Sequence, residues 1–211
     1  MINQFYSIEN NVETEIIEKK SKFIANLIKV ESKEEAEEKI SEIKKKYHDA
    51  RHNCIAYRII EEEQIIERAS DDGEPSGTAG GPMLNILKTN NLANVLIVVT
   101  RYFGGILLGT GGLVRAYSDS LLKAIEKSKK IEETIGIGLE VEIEYNNFEK
   151  FKYYCKNKQI NIVETKYSEK IKCRIEMEEK VKPKFIKDYE EKNIKIEKIS
   201  NLYKKYISKV Y

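Results

Sequence analysis

The chain has 211 residues, 41% of them hydrophobic and 34% charged, with 37 Lys and Arg against 35 Asp and Glu. That balance suits a folded protein of one large or two small domains and excludes a disordered polymer. Neither residues 1–130 nor residues 131–211 form a polybasic arm, so any contact with nucleic acid would rest on a local patch. The three cysteines, Cys54, Cys155 and Cys173, are odd in number and none sits at a metal or redox spacing. The opening MINQFYSIENNVETEIIEKK lacks the basic start and apolar run of a signal peptide. The longest apolar run, VLIVV, is far too short to span a bilayer. These features predict a reduced, cytoplasmic protein without membrane contact, metal or cofactor.

In chain order, NVETEIIEKKSKFIANLIKV reads as one or two strands from its apolar alternation. SKEEAEEKISEIKKKYHDA reads as a helix, opened by a Ser32/Glu35 capping box and striped by Ala36, Ile40, Ile43 and Tyr47. HNCIAYRII and EQIIERAS read as two strands. A first glycine loop, DDGEPSGTAGGPML, leads into a short helix with Pro82 in its first turn, capped by Ser76 or Thr78. NVLIVVTRYF reads as a buried strand, because its apolar residues are continuous. A second glycine loop precedes an amphipathic helix, GLVRAYSDSLLKAIEKSKK, carried on Leu113, Ala116, Ser120 or Leu121, and Ala124. Beyond residue 130 the order β-α-β-β-α-β follows, with Phe148, Phe151 and Cys155 on one side of its first helix. This is the split βαβ, ferredoxin-like plan. The predicted domains are therefore residues 1–130 and 131–211.

Nine of the eleven glycines lie between Gly73 and Gly112. Glycine is costly unless the backbone needs positive φ or a close approach, so this window predicts tight turns, a ligand site, or both. It matches neither phosphate-loop fingerprint. Gly104 and Gly109 have the Walker spacing, but Thr110 and Gly111 follow with no Lys, and in GTGGLV a Val stands where the dinucleotide motif needs Gly. Gly111 and Gly112 open a helix after a buried strand, where free N–H groups favour an anion. Arg101 and Arg115 would flank it. The plainer reading, which weighs more, is that the glycines serve packing and the arginines pair with Asp71, Asp72 or Glu74. Asp71, Asp72 and Glu74 do not fit a calcium loop and read as a structured loop. His52 and Cys54 share a strand face, but a buried thiol is more often a small hydrophobe than a nucleophile. The second domain holds eight of the thirteen tyrosines and many lysines, yet it lacks the aromatic strand pattern of an RNA-recognition domain.

The two glycine stretches, DDGEPSGTAGGPML and VVTRYFGGILLGTGGLVRAYSDSL, resemble the IMPACT family in its bacterial YigZ branch. The likeness runs from Gly80 through Met83, Leu84, Leu87, Leu92, Val98, Val99, Arg101–Gly105, Leu108 and Gly109 without a gap, and extends upstream to KSKFIA and HDARHNCIAYRI. The resemblance implies an α+β fold. The N-terminal domain would be like the second domain of ribosomal small-subunit protein five, and the C-terminal domain a ferredoxin-like βαββαβ unit. It also implies translational control, which in eukaryotic relatives acts through a starvation-responsive initiation-factor kinase. It supplies no catalytic residues.

The leading expectation is a non-enzymatic, translation-associated regulatory factor that binds RNA or a ribosome-linked partner. Its anion- or partner-binding residues would be Arg101, Arg115, Gly104, Gly105, Gly111, Gly112, Asp72 and Glu74. Two alternatives stand beside it. One is an enzyme or binding protein for a small anionic ligand at the same window, which requires Arg101 to point into a pocket. The other is a protein-interaction module, which requires Tyr102 and Phe103 to be exposed.

Overall fold

The computed structural model describes residues 4–61 and 64–208. The chain divides into two compact units, Met1–Ile131 and Glu132–Tyr211. In the first, the elements run β1 (Gln4–Ile8), β2 (Val12–Glu18), β3 (Ser21–Lys29), α1 (Lys33–Lys46), β4 (His52–Glu61), β5 (Gln64–Ser70), α2 (Gly80–Thr89), β6 (Val95–Tyr102) and α3 (Gly109–Lys127).

Five of these strands form an antiparallel sheet in the order β2-β3-β6-β4-β5. β6 lies at its centre, and its unbroken apolar sequence follows from burial on both faces. On one face Ala25, Val99 and Cys54 stand in register, as do Leu27, Ile97 and Ala56. These rows pack against Met83 and Leu87 of α2 and Leu113, Tyr117, Leu121 and Ala124 of α3. The opposite face sets Ile55, Tyr57, Leu96 and Val98 against Ala36 and Ile40 of α1. The capping signal at α1 is realised: Ser32 Oγ accepts from the Glu35 N–H, and the Glu35 carboxylate accepts from the Glu31 N–H.

The second unit contains β7 (Lys130–Ile143), α4 (Tyr145–Asn157), β8 (Asn161–Tyr167), β9 (Ile171–Glu178), a short 3-10 turn at Glu179–Val181, α5 (Lys182–Glu190) and β10 (Lys198–Ser208). Its strands lie in the antiparallel order β10-β7-β9-β8. This is the ferredoxin-like βαββαβ arrangement. Phe148, Phe151 and Cys155 of α4 and Phe185 of α5 pack with Leu139, Val141, Cys173 and Ile175 of the sheet.

The fold is the expected mixture of sheets and helices, with several shifted boundaries. β1 was not expected; it is held by a bridge to Leu92 and by hydrogen bonds with Asn91 and Ala93. α3 begins at Gly109, so its first turn absorbs Gly111 and Gly112. The last strand starts at Lys198, four residues later than its apolar alternation suggests. Glu63, expected to begin β5, lies outside the described residues.

Candidate functional site

The glycine window forms two layers, a buried polar cluster and an exposed rim above it. Both follow from the end of β6. Register places Arg101 between Phe23 of β3 and His52 of β4, one row beyond Val99. The position therefore faces the α2/α3 layer, where an unpaired guanidinium would be costly. Glu74 supplies the partner: Arg101 Nη1 donates to Glu74 Oε1 at 2.7 Å, with the two side chains 7% and 3% exposed. Tyr117 of α3 donates its hydroxyl to the same oxygen at 2.8 Å. The guanidinium also lies over the rings of Phe23 and Phe103, 5.5 and 5.7 Å from their centroids. Its Nε is buried without a hydrogen-bond partner.

The acidic loop is built around Asp71. Its carboxylate accepts from the N–H groups of Gly77, Ala79 and Gly80. These include the free donors at the start of α2, so Asp71 caps that helix from nine residues upstream. Ser76 and Thr78, the caps expected from sequence, do not; the Thr78 hydroxyl turns back to the Pro75 carbonyl. Partial burial raises the Asp71 pKa, but the three N–H groups together outweigh it and hold the carboxyl below its usual value. Asp72 takes positive φ, binds Lys44 through one carboxylate oxygen and accepts from the Asn53 N–H through the other. Its oxygens are thus used within the fold.

His52 and Cys54 do not form a nucleophile pair. His52 Nδ1 lies 2.9 Å from the Asp72 carbonyl oxygen, which can only accept, so Nδ1 carries the proton. Cys54 Sγ donates to the Asp71 carbonyl. Burial pushes its thiol up to about 12, a hydrogen bond with Tyr117 offsetting part of the rise and nearby carboxylates adding to it. A thiol so poised is not a thiolate near neutral pH. The Tyr117 hydroxyl is likewise raised, first by burial and then by its neighbours Cys54 and Glu74. Among the described residues, no group of three or more His, Cys, Asp and Glu could hold a metal ion. No helix among them is long and apolar enough to cross a membrane.

Above this cluster the chain turns outward. Phe103 is 54% exposed, Ile106 42% and Leu107 82%. The turn rests on the β2–β3 hairpin tip, where Lys19 and Lys20 both take positive φ. Gly104 is required there: a Cβ at this position would lie 2.0 Å from the Lys20 carbonyl carbon. Gly105 takes positive φ in the open part of the turn. Tyr102 faces away from Arg101, is half-buried, and donates to Asp49. α3 then begins with no side-chain cap. Gly111 leaves open space beside its first turn, and Gly112 meets only Leu108. Arg115 lies one turn further on, exposed and in no ion pair among the described residues; Lys19 and Lys20 are likewise exposed and in no ion pair among them.

The structure thus separates residues that the sequence reading had grouped. Arg101, Glu74 and Asp72 are engaged with partners inside the fold, while Gly104, Gly105, Gly111, Gly112 and Arg115 line the outer turn and the start of α3. Sequence reasoning missed Tyr117, Asp71 as the organiser of the loop, and the Lys19–Lys20 tip. Tyr117 had a signal, since it lies within the apolar stripe of α3.

The pattern of a family described as the Impact N-terminal domain matches residues 19–125, and that of a domain of unknown function (DUF1949) matches residues 141–188. The chain is 40% identical over 180 residues to the IMPACT family member YvyE of Bacillus subtilis (strain 168), covering 85% of this chain and 82% of that one. It is 42% identical over 110 residues to the IMPACT family member YigZ of Escherichia coli (strain K12), covering 52% of this chain and 54% of that one. A solved crystal structure of a hypothetical protein superposes with a TM-score of 0.63 at 28% identity, covering 93% of this chain and 97% of the other.

Proposed function

The chain belongs to the IMPACT family, and from that premise we propose that it is a translation-associated regulatory factor that binds RNA or a ribosome-linked partner through the outer face of the glycine window. The observation that carries this reading is the exposed Phe103–Leu107 turn, which rests on the Lys19–Lys20 tip and leads to Arg115 of α3, three exposed cations in no ion pair among the described residues. An exposed aromatic ring offers a stacking platform. The lysines, Arg115 and the uncapped N–H groups of α3 suit phosphate oxygens. Arg101 acts from below, holding Phe103 in place rather than reaching the partner. The role in translation rests on the family resemblance.

Co-sedimentation with ribosomes and with RNA, at low and moderate salt, tests this. Binding is expected to weaken steeply with salt, because phosphate contacts release counterions. Replacing Lys20 and Arg115 by Ala should lower the log–log salt slope by about 2, one for each lost phosphate contact. Salt-independent binding that is abolished by Leu107→Ser would instead favour a protein partner, a second reading that the 82% exposure of Leu107 supports. Absence of binding by folded wild-type chain would overturn both.

A further inference from the structure

The second unit carries a cleft apart from the glycine window. Its larger lobe, of about 530 Å³, lies between the start of α4 and the α5–β10 connection, with Tyr189, Ile194 and Ile196 as apolar lining. That volume is within the range of about 300–1,000 Å³ typical of small-molecule sites. A second lobe of about 220 Å³ shares Asn147, Lys192, Ile194 and Lys195 with it and adds Lys150, Phe151, Tyr154 and Asn193. The α4 part of this lining has the spacing 147, 150, 151, 154, which is one helix face.

The charges are distributed unequally. The smaller lobe has Lys150, Lys192 and Lys195 and no carboxylate in its lining, and none of the three lysines makes an ion pair among the described residues. The larger lobe shares Lys192 and Lys195 and adds Glu144, Glu190 and Glu197, of which Glu144 and Glu197 share the single Lys170. The Tyr154 hydroxyl donates to Asp188 at 2.7 Å, which leaves the ring to form apolar wall. The cleft therefore combines an apolar floor with three lysines gathered at one end, while Glu190 and the group of Glu144, Lys170 and Glu197 lie toward the other and Asp188 stands behind the Tyr154 hydroxyl.

We infer that this cleft binds a small amphipathic anion, with an aromatic or aliphatic body against Ile194 and Ile196 and a carboxylate or phosphate held by Lys150, Lys192 and Lys195. The site is independent of the reading given to the glycine window. An anion placed among these exposed lysines gains charge-assisted hydrogen bonds from flexible donors. The body supplies affinity that an inorganic ion lacks, by removing apolar surface from water.

The test uses the full-length chain and 8-anilinonaphthalene-1-sulfonate, which has an aromatic body and a fixed anion. Binding is followed by fluorescence and by NMR shifts of the Asn147 and Asn193 side-chain amides. The expected result is a shift at those amides, with affinity falling at least tenfold in Lys150→Ala/Lys192→Ala/Lys195→Ala and unchanged in Lys45→Ala, an exposed lysine of α1. Both variants alter exposed positions, and retention of the wild-type circular dichroism spectrum confirms their fold. Competition then identifies the anion: phenylacetate and phenyl phosphate should displace the probe, one more strongly than the other, whereas inorganic phosphate and benzyl alcohol should not. Three results would overturn the proposal: probe binding that leaves the two amides unshifted, equal affinity in the triple-lysine variant, or displacement by inorganic phosphate as effective as by phenyl phosphate.

Discussion

Breaking the buried pair of Arg101 and Glu74 should unfold the first unit's glycine face more readily than any surface change. In Glu74→Gln the guanidinium stays buried with no anion, although the amide oxygen still accepts from Tyr117. In Arg101→Met the carboxylate stays buried with only the Tyr117 hydroxyl, which donates to it at 2.8 Å. Removing one member of a buried pair costs about 3–5 kcal/mol, because the other charge is left desolvated. A typical domain has about 5–15 kcal/mol in all. With a urea slope of about 2 kcal/mol per molar, each single change should lower the unfolding midpoint by about 2 M. Arg101→Met/Glu74→Leu removes both charges and should recover at least half the loss. Because the chain has two units, urea unfolding should be followed by hydrogen exchange of β6 amides, which report on the first unit alone. Single variants that cost less than about 1 kcal/mol, or a double variant as costly as the sum of the singles, would refute the reasoning.

Three further outcomes follow from the same geometry. Asp71→Asn should destabilise the first unit near neutral pH. Because the folded carboxyl sits below its ordinary value of about 3.9, its contribution is complete above that value and disappears as pH falls through the lower folded one, so wild type and variant should converge in acid denaturation. Gly104→Ala should cost about 1–3 kcal/mol through overlap with the Lys20 backbone, while Gly111→Ala, with open space inside a helix, should be neutral or stabilising by up to about 1 kcal/mol in thermal melts. All three cysteines are free and buried, so Ellman's reagent should label them quickly only after denaturation, and rapid labelling of Cys54 in the native chain would contradict its raised pKa of about 12.

The fold was largely legible because its signals are local. The Ser32/Glu35 box, the unbroken β6 sequence and the period of α3 each need only a few neighbouring residues to be read. The candidate site was legible as a region and not as an arrangement. Nothing in the order of residues tells which of Asp71, Asp72 and Glu74 meets Arg101. That depends on where the loop folds back, and the loop folds back because Asp71 gathers three N–H groups six to nine residues ahead. The Lys19–Lys20 tip was invisible for a related reason. Its bearing on Gly104 comes from pairing across some eighty residues, and glycine composition alone cannot show what approaches it.

The glycine window is one construction rather than a set of separate motifs. Phe103 follows Arg101 by two residues, just past the end of β6, and its ring lies over the guanidinium. The guanidinium is fixed below by Glu74 and Tyr117, and Phe103 lies over it while half its surface remains open to solvent. Gly104 then lets the chain cross the Lys20 backbone, which puts Ile106 and Leu107 outside and starts α3 with Gly111 bare. A residue that anchors the rim from beneath and one that would touch a partner therefore have separable effects. Leu107→Ser should change binding and leave stability intact, whereas Arg101→Met should lower stability first and lose binding only as the Phe103 platform loosens.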